Sequence, residues 1–567
     1  MFLLSLPTEV ILEFFKYLNA FDILSLRQTC THLAAVSKDK LIWSTQIQKQ
    51  RTRLPVPPNF RKGLEDWSAD ALEALAISNE LVDDLWLVPR ESPPVELHNK
   101  RGEILLGLEI FSDRWILAVY ADGFMNLWDI GSPEEGEGPS RRWCFVHTGN
   151  DKTASFRAGL DDMGEKLLTV ITRAHLPGTW AAALYEILLS DPPSKLHFAL
   201  LHTFLIPSSR IVRQLCPPER IIAFSHLGSV ELVQWSEKNI ASTSISNSHL
   251  DEMEEMFTTI LSLRILGDRY IFVFKTRSIE LYPMPHFTVA DPRGSPASPS
   301  FSPSLRHVFP SYNFRDVQIS DVQTEALTEE EDSSSESGGT HYILKMLASD
   351  IIQGLFYFVV EITVPSGQLP ILDVRLTAIY AMANHIPLQS RTQQRQSQSI
   401  SETSRFPTWP TLTMTTSAAV RDRAIFERLP MLRSSSGTPV RSSSFVTTYA
   451  MGPQGMRAVW IERKRGSTWK QIVSCRLTTP PLSSDFHGVI SDLDVKRQDP
   501  DVPTKEDLTC HHDELGLIPQ ALDGQIIYSI QTYDLREDII YCALGEVSGK
   551  IILGNRSGDV FVLETGV

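Results

Sequence analysis

Close cysteine pairs, long apolar runs and a surplus of basic residues are all missing from this chain of 567 residues. The six cysteines, Cys30, Cys144, Cys216, Cys475, Cys510 and Cys542, are widely scattered. That pattern excludes a disulfide framework and fits free thiols in a reducing compartment. The most apolar late run, Ile351 to Val360, is too short to span a bilayer and contains Gln353. Met1-Phe2-Leu3-Leu4 is apolar, but Thr8, Glu9, Glu13 and Lys16 interrupt any signal-peptide core. The expectation is no membrane association and a location in cytosol or nucleus. A formal net charge of −15 argues against a general nucleic-acid binder, which would carry a basic surface.

Signatures of chemistry are missing too. There is no Gly-x-Ser-x-Gly elbow, no phosphate loop and no dinucleotide fingerprint. Cys510-His511-His512-Asp513-Glu514 collects metal-capable side chains, but consecutive residues cannot all face one ion, and no second ligand pair stands at finger spacing. Arg463-Lys464-Arg465-Gly466 lies between two apolar runs and reads as a hairpin turn. No catalytic residue, cofactor or metal is expected.

What is present begins at the N-terminus. Pro7 suits the first turn of a helix, and Glu9 puts a negative charge at that helix's positive end. Val10, Ile11, Phe14, Phe15 and Leu18 form one wide apolar stripe. Asn19 and Asp22 are capping residues for a second helix, which carries Ile23, Leu26, Cys30 and Leu33 on one face and Leu24 to one side. Asp39 opens a third helix with Leu41, Ile42 and Trp43. A helical unit of about forty residues cannot bury much surface alone. It either finishes its core on another protein or packs as a cap on its own chain.

This stretch resembles an F-box. The family's opening Leu-Pro-x-Glu is matched by Leu6, Pro7, Thr8 and Glu9, its Asp-Ile-Leu-x-Leu by Asp22 to Leu26, and its closing Leu-Ile-Trp by Leu41 to Trp43. Val10, Ile11, Leu12, Phe15, Leu18, Cys30 and Leu33 fill the apolar positions between. Thr31-His32 departs from the pattern, because many members have a basic residue and then an aromatic there. The resemblance implies binding to a Skp-type adaptor and, through it, a cullin-based ubiquitin ligase. Leu6, Pro7, Val10, Ile11, Phe14, Leu18, Leu24, Leu26 and Trp43 are the expected contributors, divided in an unstated way between that interface and the module's own core.

The module is assigned to residues 1–48 and a helical neck to 49–92. The neck contains a stiff Leu54-Pro55-Val56-Pro57-Pro58 linker and a short amphipathic helix with Leu64, Trp67, Leu72 and Leu75. From 93 to 567 the apolar period changes from helical to β. Trp115–Tyr120 and Phe124–Ile130 flank Asp122-Gly123, a strong hairpin signal. Looser hairpins follow at 220–235, 269–282 and 550–563, with less distinct pairs at 166–187, 342–362 and 457–477. About seven such units predict a β-propeller, with a large sandwich or two β domains as the alternative. Leu127-Trp128-Asp129 resembles the Trp-Asp ending of a WD-repeat blade. The last unit stops at Leu563 without an outer strand, and Val95 to His98 is the expected supplier.

Two biased stretches, 287–340 and 386–445, interrupt the pattern and are expected to be largely disordered insertions. The first holds the acidic serine run Glu329 to Ser337, a solvated loop or a set of phosphorylation sites. The expected function is that of a non-catalytic adaptor: the module holds a Skp-type partner while the propeller recruits an unidentified protein substrate for ubiquitination. The alternative is a propeller scaffold working outside any ligase.

Overall fold

In the computed structural model each of the seven apolar hairpins is the middle pair of its own antiparallel sheet. The structure describes residues 6–57, 66–88, 92–97, 103–131, 141–146, 153–176, 179–190, 196–206, 209–226, 228–236, 240–245, 258–289, 302–327, 339–382, 444–464, 466–477 and 519–564. The acidic serine run at 329–337, the stretches at 393–404 and 434–436, and Cys510 to Glu514 lie outside these.

Blade 1 consists of Leu105–Phe111, Trp115–Tyr120, Phe124–Asp129 and Arg141–Val146. Blade 2 consists of Thr153–Leu160, Lys166–Leu176, Thr179–Leu188 and Ala199–Ile206. Blade 3 runs from Ile211–Cys216 through Ile221–His226 and Ser229–Trp235 to Ile240–Ile245. Blade 4 runs from Ile260–Leu266 through Tyr270–Lys275 and Ser278–Pro283 to Leu305–Val308. In blade 5 the inner strand comes in two pieces, Asp316–Ile319 and Gln323–Leu327, before Gly339–Asp350, Gly354–Val364 and Ile371–Ala381. Blade 6 is Ser444–Met451, Arg457–Lys464, Trp469–Arg476 and Gln525–Gln531. Blade 7 has Ile539–Leu544, Ile551–Asn555 and Val560–Leu563 of its own.

The fourth strand of blade 7 is Val95–Leu97, paired antiparallel as Val95 with Val562, Glu96 with Phe561 and Leu97 with Val560. The earliest strand of the β region thus completes the last blade, as the sequence pattern required. The innermost strands meet in order around the molecule and the last meets the first, so the seven blades form a closed propeller. Middle strands have sheet neighbours on both sides and blades on both faces. Trp115–Tyr120 is accordingly buried at every residue.

Polar side chains stitch adjacent blades together. Arg157, Arg213 and Arg264 on three successive inner strands donate to inner-strand carbonyls of the next blade: to Arg213 O at 3.4 Å, Leu261 O at 3.0 Å and Ile319 O at 2.5 Å. Gln318 of blade 5 donates to Tyr449 O and accepts from Met451 N–H of blade 6. Asp113 of blade 1 accepts from Ser548 N–H of blade 7. Each such bond is worth about 1 kcal/mol net, but its loss would strand a buried partner at greater cost.

Two expectations need correction. Part of the stretch 287–340 is ordered: Leu305–Val308 is the outer strand of blade 4, and Asp316–Ile319 opens blade 5. Each has only four residues, half of them polar, so mean composition hides them. Val317 and Ile319 nonetheless enter the core with Phe309 and Phe314. The second expected helix of the N-terminal module is also broken in two, at Gln28 to Cys30, as described below.

Removing residues 93–97 should lower the melting temperature by several degrees, because it unpairs Val560–Leu563 and reopens the ring. An unchanged transition in calorimetry would show that this strand does not hold the ring shut.

Candidate protein-binding module and its seat on the propeller

Local rules account for the helices. In α1, Thr8–Phe15, Pro7 stands at the N-cap and Glu9 in the first turn. In α2, Ala20–Arg27, Asn19 caps by accepting the Asp22 N–H at 2.8 Å. The chain then turns through extended Cys30, whose Sγ accepts the Leu33 N–H and starts α3, Thr31–Val36. Asp39 caps α4, Lys40–Gln50, through the Leu41 N–H at 2.8 Å. The break after α2 lets Leu33 point back into the core beside Ile23.

The candidate residues separate cleanly. Ile11 and Trp43 belong to the buried core with Phe15, Ala20, Ile23, Leu33, Ile42 and Ile47. Leu6, Leu18, Leu24 and Leu26 are half-buried against that core. Pro7 is exposed. Val10 and Phe14, one turn apart on α1, are 47% and 45% exposed. Sequence reasoning missed Tyr17, which continues this row at 84% exposure, and left Leu41 of the closing Leu-Ile-Trp out of the contributors, although it is half-exposed at the start of α4. The signal was available, since 10, 14 and 17 share one helix face while 11 and 15 share the next.

The module does not close its core alone. Leu72 and Ala76 of a longer helix, α5 (Ala69–Leu87), complete it. The neck helix read from Leu64, Trp67, Leu72 and Leu75 is displaced and longer: Trp67 precedes its Ser68 cap, Leu64 lies outside the described residues, and the helix runs for 19 residues. Glu80 on α5 accepts the Ala20 N–H with both carboxylate oxygens, at 3.1 and 3.3 Å, and so caps the positive end of α2. Gln50 donates to Ala76 O and Glu80. Arg27 makes a bidentate pair with Glu73 at 2.6 and 2.7 Å. That geometry is stronger than an ordinary surface ion pair.

The other end of α5 is fixed to blades 6 and 7. Trp86 enters a core with Val459, Ile461 and Leu544. The Arg457 guanidinium lies 5.4 Å from the Trp86 ring centre and donates to Glu546 O at 2.7 Å. Asp83 pairs with both Arg457 and Arg476. Beside them, the Gln454 side chain accepts the Val56 N–H at 3.0 Å and donates to Val56 O at 2.7 Å. The proline-flanked linker is therefore clamped by an amide that imitates a strand partner. The Glu546 carboxylate in turn accepts backbone N–H groups of Gln454, Met456 and Arg457 at 2.6, 2.6 and 3.0 Å. Burial pushes this carboxyl up to about 7, against the pull of those three donors and Arg457.

Within a blade successive strands alternate in direction. The turns Gly452–Met456 and Gly545–Lys550 therefore lie on one face of the ring, and the helices sit there. The opposite face carries the turns at 121–123, 466–468 and 556–559. Each of these turns uses a glycine with positive φ: Gly123, Gly466 and Gly558. A Cβ at Gly558 would come 2.1 Å from Glu103 O. Among the described residues no helix is long and apolar enough to cross a membrane, and no three His, Cys, Asp or Glu gather as metal ligands.

Two tests follow for this junction. Asp83→Ala removes the carboxylate shared by buried Arg457 and half-buried Arg476 and should cost about 3 kcal/mol in chemical denaturation. Glu546 takes up a proton on folding between its ordinary range and about 7, so its contribution falls as pH rises through that window. The melting temperature of the parent minus that of Glu546→Gln should thus decrease from about pH 5 to pH 7 and flatten above; a constant difference would refute the raised pKa.

A family profile described as F-box-like matches residues 3–49. No curated protein matches the sequence significantly. Among solved structures, the β-propeller domain of Myceliophteria thermophila Cps50 (Swd1) is similar over 83% of this chain and 99% of its own, at 9% identity and a TM-score of 0.41. A chain of an active polycomb repressive complex 2 in the basal state is similar over 85% and 98%, at 9% identity and a TM-score of 0.39. The C-terminal WD40 domain of Sif2 is similar over 84% and 98%, at 6% identity and a TM-score of 0.35. The propeller assignment rests on the chain's own strand pairing. Residues 3–49 are an F-box-like domain, carried ahead of a seven-bladed β-propeller.

Proposed function

We propose that this chain is the non-catalytic, substrate-recruiting subunit of a Skp–cullin–F-box ubiquitin ligase, working in the cytosol or nucleus. The observation that carries the reading is the row Val10, Phe14 and Tyr17 left uncovered on an F-box-like domain whose internal core is otherwise complete. Exposed aromatic and aliphatic side chains in a row are the chemistry of a protein interface. In this reading Pro7, Val10, Phe14, Tyr17 and Leu41 meet the Skp-type adaptor, while Ile11 and Trp43 act only through the fold. A protein substrate is held by the propeller, and its lysines meet a conjugating enzyme brought by the cullin. The rate gain is then one of proximity. The contacts of α5 with blades 6 and 7 support this use, because a fixed seat defines the distance between adaptor and substrate.

A pull-down of the full-length protein with purified Skp-type adaptor tests it. Val10→Asp/Phe14→Asp should weaken binding by at least about tenfold with an unchanged melting temperature. Equal binding by parent and variant, or none by the folded parent, would overturn the reading. Adaptor capture from cells without any cullin would favour a scaffold outside the ligase.

A further inference from the structure

We propose that the outer strand of blade 2, Ala199–Ile206, pairs antiparallel with the same strand of a second copy of this chain and joins two propellers edge to edge. The inference goes beyond the recruitment reading and does not depend on it.

Ala199–Ile206 pairs with Thr179–Leu188 on one side, and no described strand covers its other side. Unpaired N–H and C=O groups along such an edge are a template for a further strand, and proteins ordinarily blunt them with charges, proline or very short strands. The other outer strands of this propeller are managed in such ways. Those of blades 3 and 5 are covered by Thr288–Val289 and Gln520–Ala521. Leu305–Val308 of blade 4 has four residues and contains Arg306. Val95–Leu97 of blade 7 has three and contains Glu96. Arg141–Val146 of blade 1 begins with two arginines, and Gln525–Gln531 of blade 6 has exposed glutamine at both ends. Ala199–Ile206 has eight residues without Asp, Glu, Lys, Arg or Pro. Its one irregularity is a bulge at Leu201.

The exposed side chains of this strand are mostly apolar. Leu205 is 72% exposed, Leu200 55% and Leu201 38%. Phe204 anchors the strand, its ring edge-on to Phe224 of blade 3 at 6.4 Å. The leucines therefore stand on a strand held in place rather than on a frayed end.

The order of residues selects the partner. Outward from Thr203, both directions give a ring (His202, Phe204), then a leucine (Leu201, Leu205), then a second aliphatic side chain (Leu200, Ile206). A segment with this inverted repeat is complementary to its own antiparallel copy, which is the self-matching that a twofold interface requires. Pairing centred on Thr203 sets threonine opposite threonine on the axis, a favourable cross-strand pair, and brings Leu205 of each copy to Leu201 of the other. No like charges meet along the strand, although each chain carries −15 overall. A strand of an unrelated protein would need no such symmetry. Blade 1 separates this edge from blade 7, so the helices seated on blades 6 and 7 take no part.

Analytical ultracentrifugation of the full-length protein tests the pairing. A contact of one strand is small, so the series should span about 1 to 100 μM. The weight-average mass of the parent should climb from one chain toward two. Leu201→Glu and Leu205→Lys should each stay at the mass of one chain, because a charge is set against leucine on both sides of the axis. An equimolar mixture of the two variants should regain association, because the new carboxylate of one copy then faces the new ammonium of the other. Both positions are exposed, and melting temperatures equal to the parent's in dilute solution show that the variants fold. Dimers that persist in both variants, or a mixture no heavier than its components, would overturn the proposal. A parent of single mass at every concentration would overturn it too and leave the edge to strands of other proteins.

Discussion

Arg457 lies where three parts of the chain meet: the neck helix through Asp83 and Trp86, the first turn of blade 6 whose end it forms, and blade 7 through the carbonyl of Glu546. Burial pushes its pKa down to about 10, with Glu546 and Asp113 opposing that shift. A guanidinium so placed would be costly without its carboxylates. With them it orients three segments at once, because its planar donors have fixed directions. The linker clamp at Gln454 and the Trp86 core depend on the same turn being held in place, so the helices have one seat rather than a range of tethered positions.

Much of this architecture was legible because the signals are local. Asp122-Gly123 and Ser557-Gly558 announced hairpins, and the blocks of apolar residues around them announced strands buried on both faces. Asn19 and Asp39 announced helix starts. What stayed hidden depends on distant partners. Thr288–Val289 pairs with the outer strand of blade 3, and Gln520–Ala521 with that of blade 5. Two-residue strands carry no periodicity, and only a waiting edge gives them a structure. The cap at Cys30 was hidden for another reason, since a thiol is a weak acceptor and an unusual N-cap.

The candidate site divides along the same line. Ile11 and Phe15 against Val10 and Phe14 is a difference of one residue in register, visible as a stripe but not assignable until Leu72 and Ala76 of α5 are known to cover one side. Asp83, Gln454 and Glu546 lay beyond reach altogether. Each is an ordinary polar residue in sequence and acquires its role from groups about ninety to four hundred positions away.

The closing strand Val95–Leu97 also sets an order of events in time. It leaves the ribosome about 460 residues before Val560–Val562 can pair with it, a wait of roughly half a minute to a minute and a half at ordinary rates of elongation. The helical module and its neck helix are complete throughout that interval, whereas the ring stays open with an unsatisfied sheet edge. Nascent chains of this protein therefore pass through a state with a finished head and an unfinished body. Whatever shields exposed strand edges during synthesis has to remain until Val560–Val562 has emerged.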